Sequence, residues 1–276
     1  MTLANAIQAV LDDVESLQEQ HYPVFVPSRH RAETATTPDL LAASGVPHRI
    51  VVEPHDADGY VARFGAERVL VMDENDQGIH YARNWIMDYA RAAGAEYAWQ
   101  LDDDMRRFRI RRNGERIVIP ARAALAYIEL LVDSFSNVGG ANIMNGAFAF
   151  SYDNKPAVGV NGMVYCVQLL RTDVAARFRG DTLDDTDYSM QLLTAGYCTL
   201  VSRRVVHEQP STSVQPGGCT DTTHTRRLER AQTMLRAWPG CFRIKEGSSR
   251  LAPSQVWRKF PQRPELLPDA PLKRWQ

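Results

Sequence analysis

Three consecutive aspartates are the strongest chemical signal in this sequence. Asp102 to Asp104 directly follow an apolar segment, Tyr97 to Leu101, that has the pattern of a buried strand. Adjacent carboxylates repel one another unless a cation compensates them, and Mg²⁺ or Mn²⁺ binds one or two carboxylates together with substrate phosphates. The pattern therefore predicts a divalent metal site, with a solvated acidic turn or a pairing with Arg106 and Arg107 as the alternative.

A second acidic group lies at the start of a predicted helix. Asp184, Asp185 and Asp187 stand at the N-terminal end of the helix predicted over Thr186 to Ala195. The helix dipole favours carboxylates there, so capping alone could explain them. A rigid helix start also suits a general base that faces a bound substrate. His207 ends a Val-Val run and is, on its own, more typical of a packed histidine than of a metal ligand.

Polar residues at two strand ends and one helix start are candidates for binding an anionic ligand. The turn Asn75 to Gly78 opens a predicted helix that carries Arg83, and helix N-termini bind anions. Arg29 ends the first predicted strand and could meet a pyrophosphate or pair with surface acids. Glu53 ends the second strand, where it could bind a base or a ribose or serve as the buried partner of an arginine.

Regular alternation of strands and helices would position these residues. In the first half, the predicted strands are Tyr22 to Val26, Arg49 to Glu53, Arg68 to Met72 and Tyr97 to Leu101, and the predicted helices begin at Thr37, Asp58 and Ile79. Such alternation is typical of parallel βαβ units, so this half is predicted to be a doubly wound α/β sheet. Ligands bind such sheets at the carboxyl ends of the strands, which directs attention to Arg29, Glu53, Asn75 to Gly78 and Asp102 to Asp104.

The second half has a more mixed pattern. Arg107 to Ile119 turns at Asn113-Gly114, a strong hairpin signal that predicts a protruding, arginine-rich β-ribbon. The remaining predicted helices are Ala121 to Phe135, Thr186 to Ala195 and Glu229 to Trp238, and the remaining strands are Ala147 to Tyr152, Met163 to Leu170, Tyr197 to Val201 and Val205-Val206. An amphipathic helix is predicted within the first twenty residues, and a Pro-rich extended tail at the C-terminus.

Composition excludes several classes of protein. The chain has 276 residues, of which 44% are hydrophobic and four are Cys without paired spacing, so disorder and a disulfide scaffold are excluded. No apolar run approaches the roughly 20 residues of a membrane span, and the acidic N-terminus predicts no secretory signal. A cytoplasmic protein is expected.

The formal net charge of -1 conceals a division along the chain. Residues 1–202 carry 18 basic and 27 acidic side chains, whereas residues 203–276 carry 14 and 6. A second basic island runs from Arg106 to Arg116 inside the acidic part. Segregated basic charge can bind a polyanion, although charge alone is more often a solvated surface.

The order of the motifs resembles a GT-A glycosyltransferase. The motifs are Val-Pro-Ser-Arg, Val-Val-Glu-Pro, Asn-Asp-Gln-Gly-Ile with Ala-Arg-Asn-Trp, Leu-Asp-Asp-Asp, Asp-Asp-Thr-Asp-Tyr-Ser-Met-Gln-Leu-Leu and Val-Val-His. More narrowly, they are similar to the TET-associated glycosyltransferase family, which occurs in bacteriophages beside cytosine-oxidising dioxygenases. The resemblance covers Tyr22 to Trp257 and implies an α/β fold: a GT-A-like, doubly wound, mostly parallel sheet with an added β-ribbon and a mixed C-terminal acceptor-binding region.

The resemblance also implies a division of labour along the chain. Residues 1–21 would form a capping helix, 22–105 the nucleotide-sugar-binding half, 106–257 the acceptor-binding and catalytic half, and 258–276 the extended tail. Asp102 and Asp104 match the outer residues of the Asp-x-Asp metal motif, and His207 matches a histidine that completes the metal site in some relatives. Asp185 matches the base of inverting relatives.

The remaining site residues follow from the same resemblance. Asp184 replaces the usual Glu before the base and Asp187 falls where a second acid is common, so the choice among the three acids stays open. The nucleotide-sugar would be bound by Arg29, Glu53, Asn75, Gln77, Gly78, Arg83, Asn84, Asp102 and Asp103, and DNA by Arg107, Arg109, Arg111, Arg112, Arg226 and Arg227.

The implied activity is transfer of a sugar from a UDP-sugar, with Mn²⁺ or Mg²⁺, to the hydroxyl of 5-hydroxymethylcytosine in DNA. A single inverting displacement and a monomer or weak dimer without a membrane partner are expected. Two alternatives remain: a protein or small-molecule acceptor, and a catalytically silent domain that only binds nucleic acid. A nucleotidyltransferase usually has a Gly-rich first loop, which Pro27 to Arg31 lacks.

Overall fold

The N-terminal half forms the doubly wound sheet that its alternating pattern predicts. The computed structural model describes residues 2–149, 154–210, 224–244, 251–252 and 256–275. Its first strands are β1 (Val24–Pro27), β2 (Arg49–Val52), β3 (Val69–Val71) and β4 (Tyr97–Leu101), which pair in parallel in the order β3-β2-β1-β4. The helices between them are α2 (Thr37–Ala43), α3 (Ala57–Phe64) and α4 (Ile79–Ala92).

The second half extends the same sheet. Its elements are β5 (Arg107–Arg112), β6 (Glu115–Ile119), α5 (Ala121–Val132), β7 (Val138–Asn145), α6 (Gly146–Ala149), β8 (Val158–Val160), β9 (Val167–Arg171), α7 (Asp184–Thr194), β10 (Cys198–Glu208) and α8 (His224–Ala237). Strand β9 runs antiparallel to β4 and β7, and β10 runs parallel to β7. Of the described strands from β3 across to β10, all but β9 therefore run in one direction, which confirms the mostly parallel sheet.

The central strand β7 was absent from the sequence prediction, which placed a strand at Ala147 to Tyr152 instead. Ala147 to Ala149 belong to the short helix α6, and residues 150–153 lie outside the described residues. The Val-Gly-Gly-Ala pattern at the start of β7 has low strand propensity. Packing explains the glycines, because a Cβ atom on Gly139 would lie 2.8 Å from the Cβ atom of Tyr197 and one on Gly140 would lie 3.2 Å from Leu192.

Two other predicted boundaries were wrong. The strand predicted from Met163 begins only at Val167. The two short strands predicted after Gly196 are one continuous strand, β10, which pairs with β7, β5 and β8. Tertiary pairing thus lengthened one strand and shortened another beyond what local propensity indicated.

The arginine-rich hairpin has the predicted turn but not the predicted projection. Asn113 and Gly114 both have positive φ, 52° and 80°, as a two-residue hairpin turn of this kind requires. Strand β5 pairs with β10 from Ile110↔Val205 to Arg107↔Glu208. The ribbon is therefore the edge of the sheet rather than a separate projection.

The main core lies between the sheet and helices α1 (Leu3–Asp12) and α5. It contains Trp99 and Phe108 from the sheet and Leu11 from α1. The tail was predicted to be extended, yet it ends in a short 3₁₀ turn, Pro271–Trp275, which contacts α1 and α5 through the buried Leu272. No helix in the described ranges has both the length and the apolar character needed to span a membrane.

Candidate functional site

The carboxyl ends of the parallel strands bring two acidic groups together, although they lie about eighty residues apart in the sequence. The aspartate triplet follows β4, and Asp184 and Asp185 begin α7. Both Asp184 and Asp185 keep about a quarter of their side-chain surface exposed, at 25% and 27%. This is the edge at which parallel sheets bind their ligands.

Arg83 connects the two acidic groups from a buried position on α4. One guanidinium nitrogen of Arg83 donates to Asp185 and, at 3.2 Å, to Asp184, and the other lies 3.3 Å from Asp102. Only 5% of Arg83 is exposed, and its guanidinium carbon lies 5.2 Å from the Phe178 ring centroid. Three carboxylates therefore share one cation, which leaves an excess of negative charge at the edge of the sheet.

Burial raises the pKa values of the acids in this group. The pKa of Asp185 is raised by burial and by the carboxylates of Asp184 and Asp102, against the opposing effect of Arg83. The pKa of Asp102 is raised for the same main reason. A carboxylate with a raised pKa is a stronger proton acceptor than an exposed one, which suits a base that works near neutral pH.

The middle and last residues of the aspartate triplet have different environments. Both oxygens of Asp103 are engaged, because Oδ2 accepts a hydrogen bond from the Ser28 hydroxyl and Oδ1 accepts one, at 2.6 Å, from Arg31. Asp104 is buried, and its Oδ1 atom has no hydrogen-bond partner among the residues that the structure describes. Burial, with the neighbouring carboxylates Asp102 and Asp103, raises the pKa of Asp104 to about 6.

His207 is a fully buried imidazole. Its Nδ1 atom lies 2.8 Å from the carbonyl oxygen of Ile143, and its buried Nε2 atom makes no hydrogen bond of normal geometry within the described residues. Burial lowers the pKa of His207 to about 4, so the ring is neutral at pH 7. Divalent metals bind imidazole nitrogens and carboxylate oxygens. The buried Nε2 of His207 and Oδ1 of Asp104, which make no hydrogen bond within the described residues, are donor atoms of these types.

The candidate ligands Asp102, Asp104 and His207 do not form a compact set of donor atoms. Among the described residues, the sets of three metal-type donor atoms within 4.8 Å of one another are His30 with His55 and Asp56, and Glu53 with His55 and Asp76. Asp102, Asp104 and His207 do not form such a set.

Asp187 is separated from the other two acids of α7. It is 0% exposed and accepts hydrogen bonds from Arg179 at 2.6 Å, Gln191 at 2.9 Å and the Trp238 indole at 2.7 Å. A carboxylate with all its acceptor positions used is an anchor between α7 and the segment after α8. We therefore leave Asp187 out of the proposed catalytic set.

The residues expected to bind the nucleotide form two groups. One lies at the ends of β1 and β2 and in the turn before α4, and the other, Arg83 and Asn84, lies within α4. Arg29 lies 3.2 Å from Glu53 and also pairs with Asp76, so the strand ends of β1 and β2 are joined by an ion pair. Near them, the Asn75 side chain accepts from the His55 amide, Gln77 donates to the Asn75 carbonyl at 3.2 Å, and Gly78, with φ 80°, precedes α4.

Asn84 and Arg83 do not line this part of the edge. Both polar atoms of the Asn84 amide bond the backbone of Phe178, at 2.9 and 3.0 Å. Asn84 thereby holds the loop before α7, and Arg83 holds the acids of α7 themselves. The side chains of Arg83 and Asn84 on α4 therefore orient the aspartates of α7 and the loop before it, and they do not face an open pocket.

Two supporting residues were not among the predicted site residues. Cys166, with a positive φ of 57°, accepts the Asp102 amide at its carbonyl oxygen at 2.9 Å, and Arg31 holds Asp103. Burial raises the pKa of the Cys166 thiol well above its ordinary value. Arg31 could have been found from its position beside Arg29, whereas nothing in the sequence around Cys166 marks it.

The basic ribbon is largely paired within the chain. Arg107 and Arg109 lie 3.4 and 2.8 Å from Glu208, and Arg112 pairs with Glu15 at 3.0 Å. Arg111 donates to the carbonyl oxygen of Ala149. Arg226 and Arg227 lie in α8, and their side chains are outside the described part.

Comparison with known proteins gives a family and distant structural likenesses. A family model described as TET-Associated Glycosyltransferase matches residues 22–218. No curated protein matches the chain. A crystal structure of GalNAc-T7 with UDP, GalNAc and Mn²⁺ is 10% identical, with a TM-score of 0.43; it covers 82% of this chain, which spans about half of that structure, 49%. Mannose-1-phosphate geranyltransferase from Thermus thermophilus is 13% identical, with a TM-score of 0.32, covering 87% and 68%.

Proposed function

The chain belongs to the TET-associated glycosyltransferase family, and on that premise we propose that it transfers a sugar from a UDP-sugar to 5-hydroxymethylcytosine in DNA. Membership makes it a glycosyltransferase. The donor, the acceptor and the roles of individual residues are the proposal.

One observation carries the proposal: Arg83 joins Asp102, at the end of β4, to Asp184 and Asp185, at the start of α7. A sugar transfer needs a site for the departing diphosphate and a base for the acceptor hydroxyl, held at a fixed separation. Here a single buried side chain couples a candidate for each. A solvated acidic turn would not require a buried arginine.

The residues present suit a divalent metal. Asp102, Asp104 and His207 would hold it, since Asp104 and His207 each present a buried donor atom that makes no hydrogen bond within the described part of the chain. When bound, such a metal would neutralise charge on the departing diphosphate as a Lewis acid. Neutral His207 is already in the form that a metal ligand requires.

Asp185 is the proposed base. Its carboxylate would take the proton of the acceptor hydroxyl as that oxygen attacks the anomeric carbon and the bond to the diphosphate breaks. Arg83 fixes the orientation of Asp185, and the raised pKa of Asp185 keeps the proton affinity high. Asp184 shares the same arginine nitrogen and is the second candidate.

The distribution of basic residues supports a DNA acceptor, but two of the ribbon arginines already pair with a carboxylate of the chain. Arg106 and Arg107 are exposed beside the site, and the C-terminal part is rich in basic residues. Because Glu208 already faces Arg107 and Arg109, phosphates would have to compete with that carboxylate for the ribbon. A hydroxymethyl group on C5 of cytosine lies in the major groove, where it can be reached without full base extrusion.

The test is mass spectrometry of nucleosides after hydroxymethylated DNA is incubated with the protein, Mn²⁺ and a panel of UDP-sugars. We expect a hexosylated 5-hydroxymethylcytosine with wild type and none with Asp185→Asn. The matched control is unmodified DNA, which offers no hydroxyl. If free nucleoside or a protein acceptor is modified equally well without DNA, the DNA part of the proposal is wrong and the glycosyltransferase activity stands.

A further inference from the structure

We propose that His30, His55 and Asp56 form a second metal site, which takes a transition cation of the Zn²⁺ class and is separate from the Asp102 and Asp104 edge. This site follows from donor geometry alone and does not depend on the proposed sugar transfer. It lies where the loop after β1 meets the 3₁₀ turn Pro54–Asp56 after β2.

The three side chains already converge. Nδ1 of His30 lies 2.9 Å from Oδ1 of Asp56, and Nε2 of His55 lies 3.8 Å from Oδ2 of the same carboxylate. One donor atom from each residue falls within 4.8 Å of the others. Ligand atoms at bonds of about 2.0–2.2 Å to a tetrahedral cation are roughly 3.3 Å apart, so small side-chain adjustments would complete the geometry.

The backbone is arranged to bring His30 to this place. His30 has a positive φ of 55°, which is uncommon for a residue with a side chain. The Oδ2 atom of Asp56 accepts the backbone N–H of His30 at 2.8 Å. The same carboxylate therefore fixes both the main chain and the ring of His30. The two imidazoles lie stacked, with centroids 4.9 Å apart.

A fourth donor is available beside this set. The Oε2 atom of Glu53 lies 3.2 Å from Nε2 of His55, and Glu53 as a whole is 3% exposed. This oxygen is buried and makes no hydrogen bond to any described residue. Its neighbour is the Nε atom of Arg29, also at 3.2 Å. This buried carboxylate oxygen is within reach of a cation bound at Nε2 of His55 and would be its fourth ligand.

The local charge favours a divalent cation. Glu53 and Asp76 both pair with the guanidinium of Arg29, and Asp56 contacts the imidazoles of His30 and His55, so the three carboxylates outnumber the one guanidinium by two charges. Arg31, the other nearby cation, is engaged with Asp103 at 2.6 Å. A bound divalent ion would balance this excess.

The donor types select the class of metal. Two imidazoles with carboxylate oxygens suit Zn²⁺, Co²⁺ or Ni²⁺, whereas Mg²⁺ prefers oxygen ligands in an octahedral arrangement. His30, His55 and Asp56 also line a cavity of about 310 Å³ that is open to solvent. Water can therefore reach the cation and fill an open coordination position.

The experiment is a titration of the full-length protein with Co²⁺, followed by visible absorption, and with Zn²⁺, followed by calorimetry. Asp104→Asn is used throughout so that the first site does not contribute. We expect a four- or five-coordinate Co²⁺ band and one Zn²⁺ bound, and we expect His55→Gln or His30→Gln to weaken binding at least tenfold.

The matched control is His80→Gln, another partly exposed histidine outside the cluster. It should bind Zn²⁺ like its parent. Circular dichroism checks that each variant is folded, which is expected because His30 and His55 are 51% and 32% exposed. The proposal is overturned if the parent shows no Co²⁺ band, or if His55→Gln and His30→Gln titrate like His80→Gln, in which case the cluster is only an imidazole–carboxylate hydrogen-bond network.

Discussion

Arg83 and Asp185 form a buried ion pair that joins helix α4 to helix α7. The guanidinium of Arg83 is 6% exposed and the carboxylate of Asp185 is 27% exposed, so the pair has a protein side and a solvent side. The protein side is closed by Phe178, whose backbone is held by Asn84. The solvent side is the face from which an acceptor hydroxyl would approach.

Two substitutions of Arg83 distinguish its role in positioning the aspartates from its role in stabilising the fold. Arg83→Lys keeps the charge but reaches fewer of the carboxylates, so we expect kcat to fall about 100-fold with the fold retained. Arg83→Gln leaves Asp102, Asp184 and Asp185 without a cation and should lower the free energy of unfolding by about 3–5 kcal/mol. Steady-state kinetics and urea unfolding measure the two effects.

The control for this pair is Arg63→Lys, in a surface ion pair with Asp39 at 2.6 Å. It should cost no more than about 1 kcal/mol and leave kcat unchanged. Equal kcat values for Arg83→Lys and wild type would contradict the positioning role of Arg83.

The acids of α7 should behave differently when each is made neutral. Asp185→Asn removes the proposed base and should lower kcat by about 10²–10⁴-fold, and the fold should be retained because Asp102 and Asp184 still pair with Arg83. Asp187→Asn disturbs the bonds to Arg179 and Trp238 and should lower the free energy of unfolding by about 1–3 kcal/mol with a smaller effect on kcat. A larger loss of kcat in Asp187→Asn would reverse the assignment.

The metal donors can be tested by Mn²⁺ binding in the absence of any sugar. Asp104→Asn and His207→Gln each remove a buried donor atom, and each should weaken Mn²⁺ at least about tenfold in calorimetry or electron paramagnetic resonance. His48→Gln is the control, since His48 is a partly buried histidine whose Nδ1 atom contacts the Val46 carbonyl, away from the proposed ligands. Unchanged Mn²⁺ affinity in both site variants would exclude these residues as ligands.

Activity and stability should change with pH in opposite directions at Asp185. A base must be deprotonated to act, and the raised pKa of Asp185 means that protonation already removes it at mildly acidic pH. We therefore expect kcat to rise between about pH 5 and pH 8. A carboxyl whose folded pKa exceeds its unfolded value of 3.8 contributes stability below that value and loses it as pH rises through the folded pKa.

The measurements are a pH–kcat profile and melting temperatures over the same range. Asp185→Asn should remove this contribution from the stability profile. A wild-type kcat that is flat from pH 5 to pH 8 would argue against a carboxylate base with a raised pKa.

DNA binding by the ribbon should be electrostatic. Arg106→Ala with Arg107→Ala removes two exposed cations and should reduce the slope of log K against log salt concentration by roughly one to two. Fluorescence anisotropy with a labelled duplex measures this slope, and Arg63→Gln, which removes a cation outside the ribbon, serves as the control. An unchanged slope would place the DNA-binding surface elsewhere on the chain.

Much of this protein could be predicted from the sequence because local rules are strong where elements are regular. The strand Tyr97 to Leu101 and the turn Asn113-Gly114 were predicted to the residue, since apolar runs and αL turns have short-range causes. The order of motifs indicated the family, which the match over residues 22–218 confirms.

Other features depended on contacts that no local pattern contains. Strand β7 needs its glycines because Tyr197 and Leu192 pack against them, and β10 is continuous because three strands pair with it. The separation of Asp187 from Asp185 likewise depends on Arg179 and Trp238, which lie on different segments.

The sequence by itself determined which residue types are present and which strand ends carry them. Only the tertiary structure decided which carboxylates share Arg83, which are saturated and which donor atoms remain unpaired. The physical reason is that hydrogen-bond satisfaction and desolvation are set by neighbours distant in sequence, such as Arg83 and Asp185, which are 102 positions apart.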